Sequence, residues 1–214
     1  MFEFIDAAQN SESWFALRAG KLTSSKMGVI MANYGKAFSE PAKKYAVNIA
    51  VEQISGNPIP SGYSNAHMER GHLQEPIARA MYEDQADCFV SNGGFFQSAF
   101  VGCSPDGLVS DTGVIEIKSV IAPVHYNNVK RGGLDPAYKW QFYGNLKFTG
   151  RDWLDFVSYC SEFPEGKQLF THRITPAGLE DEFKMIDLRI AEFKTLVDSV
   201  RDKILNSSYC TEAT

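Results

Sequence analysis

The stretch SPDGLVSDTGVIEIKSV, residues 104–120, constrains this chain more than any other. Its second half is rich in β-branched residues and predicts a strand, along which side chains alternate between two faces. Val114, Glu116, Lys118 and Val120 then share one face, and Ile115 and Ile117 share the other. A carboxylate and an ammonium projecting from the apolar centre of a sheet are costly to bury without partners. Ser-Pro-Asp-Gly and Asp111-Thr112-Gly113 are both turn sequences, so a hairpin returns Asp106 beside Glu116. Two carboxylates converging near one lysine require a cation between them, and oxygen donors of this kind suit Mg²⁺. The Glu-x-Lys spacing alone carries nothing, since it occurs four times. Only Glu116 and Lys118 lie in a β-branched strand behind a Pro-Asp-Gly turn, whereas the other three lie in a Pro/Gly loop or on a solvated helix face.

Around this strand the chain changes character. Residues 1–87 read as helical: Ser11 caps SESWFALRA with Gly20 as a stop, and Ser24 or Ser25 caps SKMGVIMA. Ser39 precedes EPAKKYAVNIAVEQIS, which ends at Gly56. NPIPSGYS is a loop, and NAHMERGHLQEPIARAMYEDQA is a helix that Gly71 and Pro76 kink or divide. Residues 88–206 hold short strands (CFVS, GGFFQ, FVGCS, GLVS, VIEIKSV, WLDFVSY, QLFTHRI) and the helices VHYNNVKR and DPAYKWQFYGNLKF. In the closing helix Phe183, Ile186, Ile190, Phe193, Val197, Val200 and Ile204 form an apolar stripe at spacings of three and four, expected to cover the sheet, with a subunit contact as the alternative. The expectation is a single α/β domain, residues 1–214, with a small mixed sheet flanked by helices.

Composition bounds the function. No apolar run approaches the ~18 residues needed to cross a bilayer, and MFEFIDAAQN lacks the basic and apolar segments of a signal peptide. Four cysteines without a CxxC pair argue against a zinc ribbon or a disulfide scaffold, so a reduced, cytoplasmic protein is expected. His67, His72, His125 and His172 share no ligand spacing. A net charge of −5 and a pI near 5.4 speak against a protein that coats DNA through a basic surface. They do not speak against one that confines positive potential to a channel, with Arg18, Lys36, Lys118, Lys130 and Arg131 as candidates to line it.

PDG, eight residues, then EIK resembles the PD-(D/E)xK nuclease signature. SWFALRAGKLTSS, RGHLQEPIARAMYE and VKRGGLDPAYKWQ are similar, in the same order, to segments of the bacteriophage lambda exonuclease family. That resemblance implies a restriction-endonuclease-like core and a Mg²⁺-dependent 5′-to-3′ double-strand DNA exonuclease with two ions, Mn²⁺ being a substitute. It implies Asp106, Glu116 and the Ile117 carbonyl as metal ligands, with Glu75 reaching the same ions from its helix. Lys118 would orient or deprotonate the attacking water, and Gln141 would position the lysine or the scissile phosphate. Arg18, Ser25 and Ser104 would bind a terminal 5′-phosphate. A ring-shaped homotrimer around DNA and a phage-type single-strand annealing partner follow from the resemblance alone. From the residues, two alternatives stay open: an endonuclease of restriction or repair type, and a non-catalytic DNA-end-binding module. The chain departs from the family at Asn33-Tyr34-Gly35-Lys36, where Lys36 stands in for an arginine wedge, and at Tyr143, where a second glutamine is expected.

Overall fold

Short strands pair into two sheets, and the turn at Pro105-Asp106 carries the chain from one to the other. The computed structural model describes residues 2–59 and 66–207, with the side chains of residues 66–68 excepted. In chain order the elements are β1 (Glu3–Ile5), α1 (Glu12–Arg18), β2 (Leu22–Thr23), a 3₁₀ turn (Ser24–Lys26), α2 (Met27–Met31), α3 (Glu40–Ser55) and α4 (Ala66–Ala86). The strands β3 (Val90–Asn92), β4 (Phe95–Gln97), β5 (Val101–Cys103), β6 (Gly107–Val109) and β7 (Gly113–Ser119) follow. Then come α5 (Ala122–Arg131), a second 3₁₀ turn (Pro136–Tyr138), α6 (Lys139–Thr149), β8 (Trp153–Tyr159), β9 (Leu169–Ile174) and α7 (Glu180–Leu205).

The larger sheet has the order β3-β6-β7-β8-β9, with β7 and β8 parallel and the other neighbours antiparallel. The parallel pair needs a crossover, which α5 and α6 supply. The smaller sheet, β1-β4-β5-β2, is antiparallel except for the parallel pair β2 and β5. Its strands β1 and β2 lie in the segment expected to be wholly helical.

Strand β7 divides the interior as its alternation requires. Val114 joins a large core with residues of α2, α3, α6 and α7, while Ile115 and Ile117 join a second core with Ala78 and Tyr82 of α4. The stripe on α7 is covered chiefly by α3, with α2 and α6, rather than by a sheet face. Several caps lie where the sequence puts them. The Ser11 Oγ accepts from the Trp14 amide at 3.2 Å, Ser39 caps α3, and Gly56 closes it at φ 69°. Two expectations change. Helix α4 is undivided through Pro76, and the carbonyl that loses its helical donor there belongs to His72, an exposed residue. Neither Ser24 nor Ser25 caps α2; they form the 3₁₀ turn before it, and the Ser24 hydroxyl donates elsewhere.

One feature ties the two ends of the chain together. Arg189 of α7 is only 2 % exposed and donates through Nε to the Ile30 carbonyl at 2.7 Å. Its other nitrogens reach the carbonyls of Lys36 (3.2 Å) and Ala32 (3.4 Å) and the Glu192 carboxylate (2.7 Å), and its plane lies 3.7 Å from the Phe38 ring centroid. The last carbonyls of any helix lack internal partners, so this guanidinium caps α2 and fixes the chain leaving it.

No helix among the described residues is long and apolar enough to cross a membrane. Cys88, Cys103 and Cys160 are free thiols; Cys210, residues 60–64 of the expected loop and Asn65 at the start of the expected helix lie outside the described residues.

Candidate active site

The β6–β7 hairpin pairs Gly107 with Ile115, which sets Asp106 opposite Glu116. Asp106 donates its amide to the Ile115 carbonyl at 3.2 Å and accepts the Ile117 amide on Oδ2 at 2.7 Å. One carboxylate oxygen is thereby turned toward the strand. A strand residue's N–H and C=O project to the same side, so the Ile117 carbonyl faces the edge where Asp106 stands. The turn before Asp106 rests on Gly93, where an added Cβ would lie 1.7 Å from the Pro105 oxygen. Gln9 also donates to that oxygen, at 3.1 Å.

Glu116 is 1 % exposed, and both its oxygens are engaged. Oε1 accepts from Lys118 at 2.8 Å and from the Gln141 side-chain amide, while Oε2 accepts from the Asn145 amide at 2.7 Å. Gln141 and Asn145 stand four residues apart on α6 and so present their amides on one helix face. The Lys118 ammonium also lies 5.3 Å from the Tyr138 ring centroid and 5.7 Å from that of Phe142, whose electron-rich faces favour a cation. Glu75 of α4 approaches from the other side of the strand, 3.7 Å from Arg79, and Arg79 donates to the Asp106 carbonyl.

Burial raises the Glu116 carboxyl to about 8, helped by the negative field of Asp106. Burial and the same field raise Glu75 to about 7. Burial disfavours the Lys118 ammonium too, but Glu116 and Asp106 outweigh it and hold that group charged. Lys118 and Arg79 thus do not offset three carboxylates, and the excess negative charge is what a hard dication would relieve. Among the described residues no three His, Cys, Asp or Glu side chains already close on one point. The donor set nonetheless fits Mg²⁺, which takes one or two carboxylates and completes its shell with waters and phosphate oxygens. Asp106, Glu116 and the Ile117 carbonyl would hold it, with Glu75 beside them.

A second group lies along α1 and the first 3₁₀ turn. Arg18 stacks on Trp14, 4.0 Å from the ring centroid, and its Nη2 stands 3.5 Å from the Ser25 hydroxyl. The Trp14 indole donates to Ser104 Oγ at 2.6 Å, and Ser104 donates to the Gly94 carbonyl at 2.9 Å. Ser104 therefore reaches Arg18 through Trp14. Ser25 is exposed, so this arginine and hydroxyl can meet an anion. The Arg18 guanidinium is held below its ordinary value, chiefly by burial.

The structure thus brings together Asp106, Glu116, Lys118, Gln141 and Glu75, and separately Arg18, Ser25 and Ser104. Lys36, Lys130 and Arg131 are exposed, and no ion pair among the described residues joins them to either group. His125 is a buried structural residue, bonded to Ser158 at 2.9 Å and the Lys167 carbonyl at 3.2 Å; His72 is exposed, and the His67 side chain lies outside the described residues. Asn145, Ser24 and Arg79 were not among the expected residues. A polar residue four positions after Gln141 in an aromatic helix was the signal for Asn145.

A family model described as the YqaJ-like viral recombinase domain matches residues 13–152. Among solved structures, the alkaline exonuclease LHK-Exo from Laribacter hongkongensis is 32% identical, with 91% of this chain and 98% of that chain covered and a TM-score of 0.75. The same enzyme in complex with dAMP has equal identity and coverage and a TM-score of 0.76. A phage-related exonuclease from Haemophilus somnus shares the fold at 14% identity, with 86% of this chain and 96% of that chain covered and a TM-score of 0.64. No curated protein matches the chain.

Proposed function

The chain belongs to the YqaJ-like viral recombinase domain family, and from that premise we propose a divalent-cation-dependent exonuclease that degrades the 5′-ended strand of linear duplex DNA. The observation that carries this reading is the convergence of Asp106, Glu116 and Lys118 on the central strand β7 and the turn beside it, with Glu75 near them. The separate Arg18–Ser25 pair supplies polarity: a planar guanidinium and an exposed hydroxyl suit a terminal phosphate. The Laribacter relative's name, alkaline exonuclease, and its complex with the mononucleotide dAMP support exonucleolytic release of mononucleotides.

The chain's own residues divide the work. Arg18 and Ser25 hold the terminal phosphate, which sets the register of the strand. A bound Mg²⁺ would polarise the phosphoryl oxygens and acidify a coordinated water. Lys118 stays an ammonium beside Glu116, so it acts as a donor rather than a base: it orients the attacking water and offsets charge developing on the phosphate. Gln141 and Asn145 fix the Glu116 carboxylate, and Tyr138 and Phe142 keep the ammonium aimed. In the same reading the protein works as a ring of three copies and passes the 3′ strand to a single-strand annealing protein. Exposed Val47, Val51 and Ile54, on one side of α3, offer apolar surface for such contacts.

Linear duplexes with 5′-phosphate ends should be digested to mononucleotides faster than 5′-hydroxyl duplexes, and covalently closed circles should stay intact. Cutting of the circles would replace this reading with an endonuclease. No hydrolysis of any duplex with Mg²⁺ or Mn²⁺ would leave only an end-binding module.

The raised carboxyls give a pH test. Their folded values, about 7 and about 8, lie above the ordinary carboxylate value of 4.5. The folded protein therefore binds more protons than the unfolded chain between those values. This stabilisation is complete below 4.5 and is lost as pH rises through 7 to 8. Thermal unfolding in chelator should show a falling midpoint over that window, and Mg²⁺ should restore it more strongly at higher pH. Hydrolysis should rise over the same range.

A further inference from the structure

Between the two groups of site residues runs a path of two buried hydrogen bonds and one peptide link. Asn145 is fully buried. Its Nδ2 donates to Glu116 Oε2 at 2.7 Å, and its Oδ1 accepts the Ser24 hydroxyl. With Glu116 ionised beside Lys118 this orientation follows, because a carboxylate only accepts and so takes the Nδ2 donor, which leaves Oδ1 to accept from the hydroxyl. Ser24, 3 % exposed, opens the 3₁₀ turn whose next residue is Ser25, and Ser25 Oγ lies 3.1 Å from Thr23 Oγ1 and 3.5 Å from Arg18. The turn and α6 touch without a spacer: a Cβ added at Gly144 would lie 3.1 Å from the Ser24 Cβ.

We propose that Asn145 and Ser24 are positioning residues that couple the pocket for the DNA terminus to the Glu116 carboxylate. Resting on the exonuclease reading above, this deepens it: an anion seated on Arg18 and Ser25 fixes the 3₁₀ turn, the turn fixes the Ser24 hydroxyl, and that hydroxyl fixes the amide that aims Glu116. Each link is a direct bond or a neighbouring residue, so a shift at Ser25 has no slack to absorb it. Discrimination between a phosphorylated and an unphosphorylated end is then expressed at the catalytic strand as well as in binding. Arg18 alone would express it only in binding.

The test compares wild type, Asn145→Ala, Ser24→Ala and the double variant. On 5′-phosphorylated duplex, Asn145→Ala should lower kcat by about 10- to 100-fold with KM changed by no more than about twofold, since displacement of an aimed group acts on the chemical step. The ratio of kcat values on phosphate and hydroxyl ends should fall toward one, and the double variant should be no worse than Asn145→Ala because both remove one path. Equal loss on both kinds of end, or additive losses, would overturn the coupling. Calorimetric titration of Mg²⁺ with and without 5′-dTMP supplies a readout that needs no hydrolysis. The nucleotide should tighten Mg²⁺ binding by about fivefold in wild type, and that factor should vanish in Ser24→Ala. A factor of one in wild type, or an undiminished factor in the variant, would also overturn the proposal. Wild type that binds with this coupling yet digests no duplex would instead sink the exonuclease reading. Ser24→Ala removes a single oxygen, so the test survives if Asn145→Ala fails to fold.

Discussion

Lys118→Met should reduce hydrolysis of a 5′-phosphorylated duplex by about 10²–10³-fold, the usual loss when one aimed donor leaves a charge-developing centre. Methionine has nearly the length of lysine, so the substitution removes the charge, and with it the cation over Tyr138 and Phe142, with little change of volume. Glu116 loses the ammonium 2.8 Å from its Oε1 and takes up a proton more readily, which neutralises the buried carboxyl and protects the fold. End binding in chelator, which rests on Arg18 and Ser25, should stay within about twofold of wild type. Single-turnover hydrolysis and end binding, measured side by side, decide the matter. A variant retaining more than about a tenth of the wild-type rate would show that Lys118 is a structural counter-ion to Glu116 and that the chemistry lies elsewhere.

The largest effect on stability is expected at Arg189. Arg189→Met fills much of the same space with an unbranched side chain but removes the guanidinium over Phe38 and leaves the carbonyls of Ile30, Ala32 and Lys36 without their donor. At about 1–3 kcal/mol for each buried acceptor stripped of a partner, and with the more exposed ones regaining water, the loss should be about 3–5 kcal/mol. For a chain of this size that lowers the melting midpoint by roughly 10 °C. Glu192, whose side chain is 55% exposed, offers the control: Glu192→Gln should cost no more than about 1 kcal/mol. Equal melting temperatures for Arg189→Met and wild type would mean that the α2 carbonyls find other donors.

The long regular elements were legible because their signals are local. Ser39 and Gly56 bracket α3 at the residues expected, and the alternation of β7 divides the two cores as the strand pattern demands. The Asp106–Glu116 pairing was legible too, since the two turn sequences leave the hairpin one register in which the pattern works. Strands β1 and β2, of three and two residues, are too short for any period to show and exist only because β4 and β5 accept them. The partner of the α7 stripe was misread for a related reason: an apolar face announces that it must be covered but not whether a sheet or helices cover it. Ser24 was taken for a cap because a capping hydroxyl and a buried donor look alike in sequence. Arg189 could not be foreseen, since its acceptors are backbone carbonyls 153 to 159 residues away and carry no side-chain signature.

That separation also sets a schedule for synthesis. Ile30 leaves the ribosome 159 residues before the arginine that caps its helix. At roughly 5–20 residues per second, α2 and the chain beyond it wait about 8–30 s for their anchor. Asp106, Glu116 and Lys118 have by then been translated, and so has Asn145, the partner of Ser24 in the adjoining 3₁₀ turn. The residues proposed to carry hydrolysis are thus made before α2 is secured, and the chain leaving α2 settles only when the closing helix folds back.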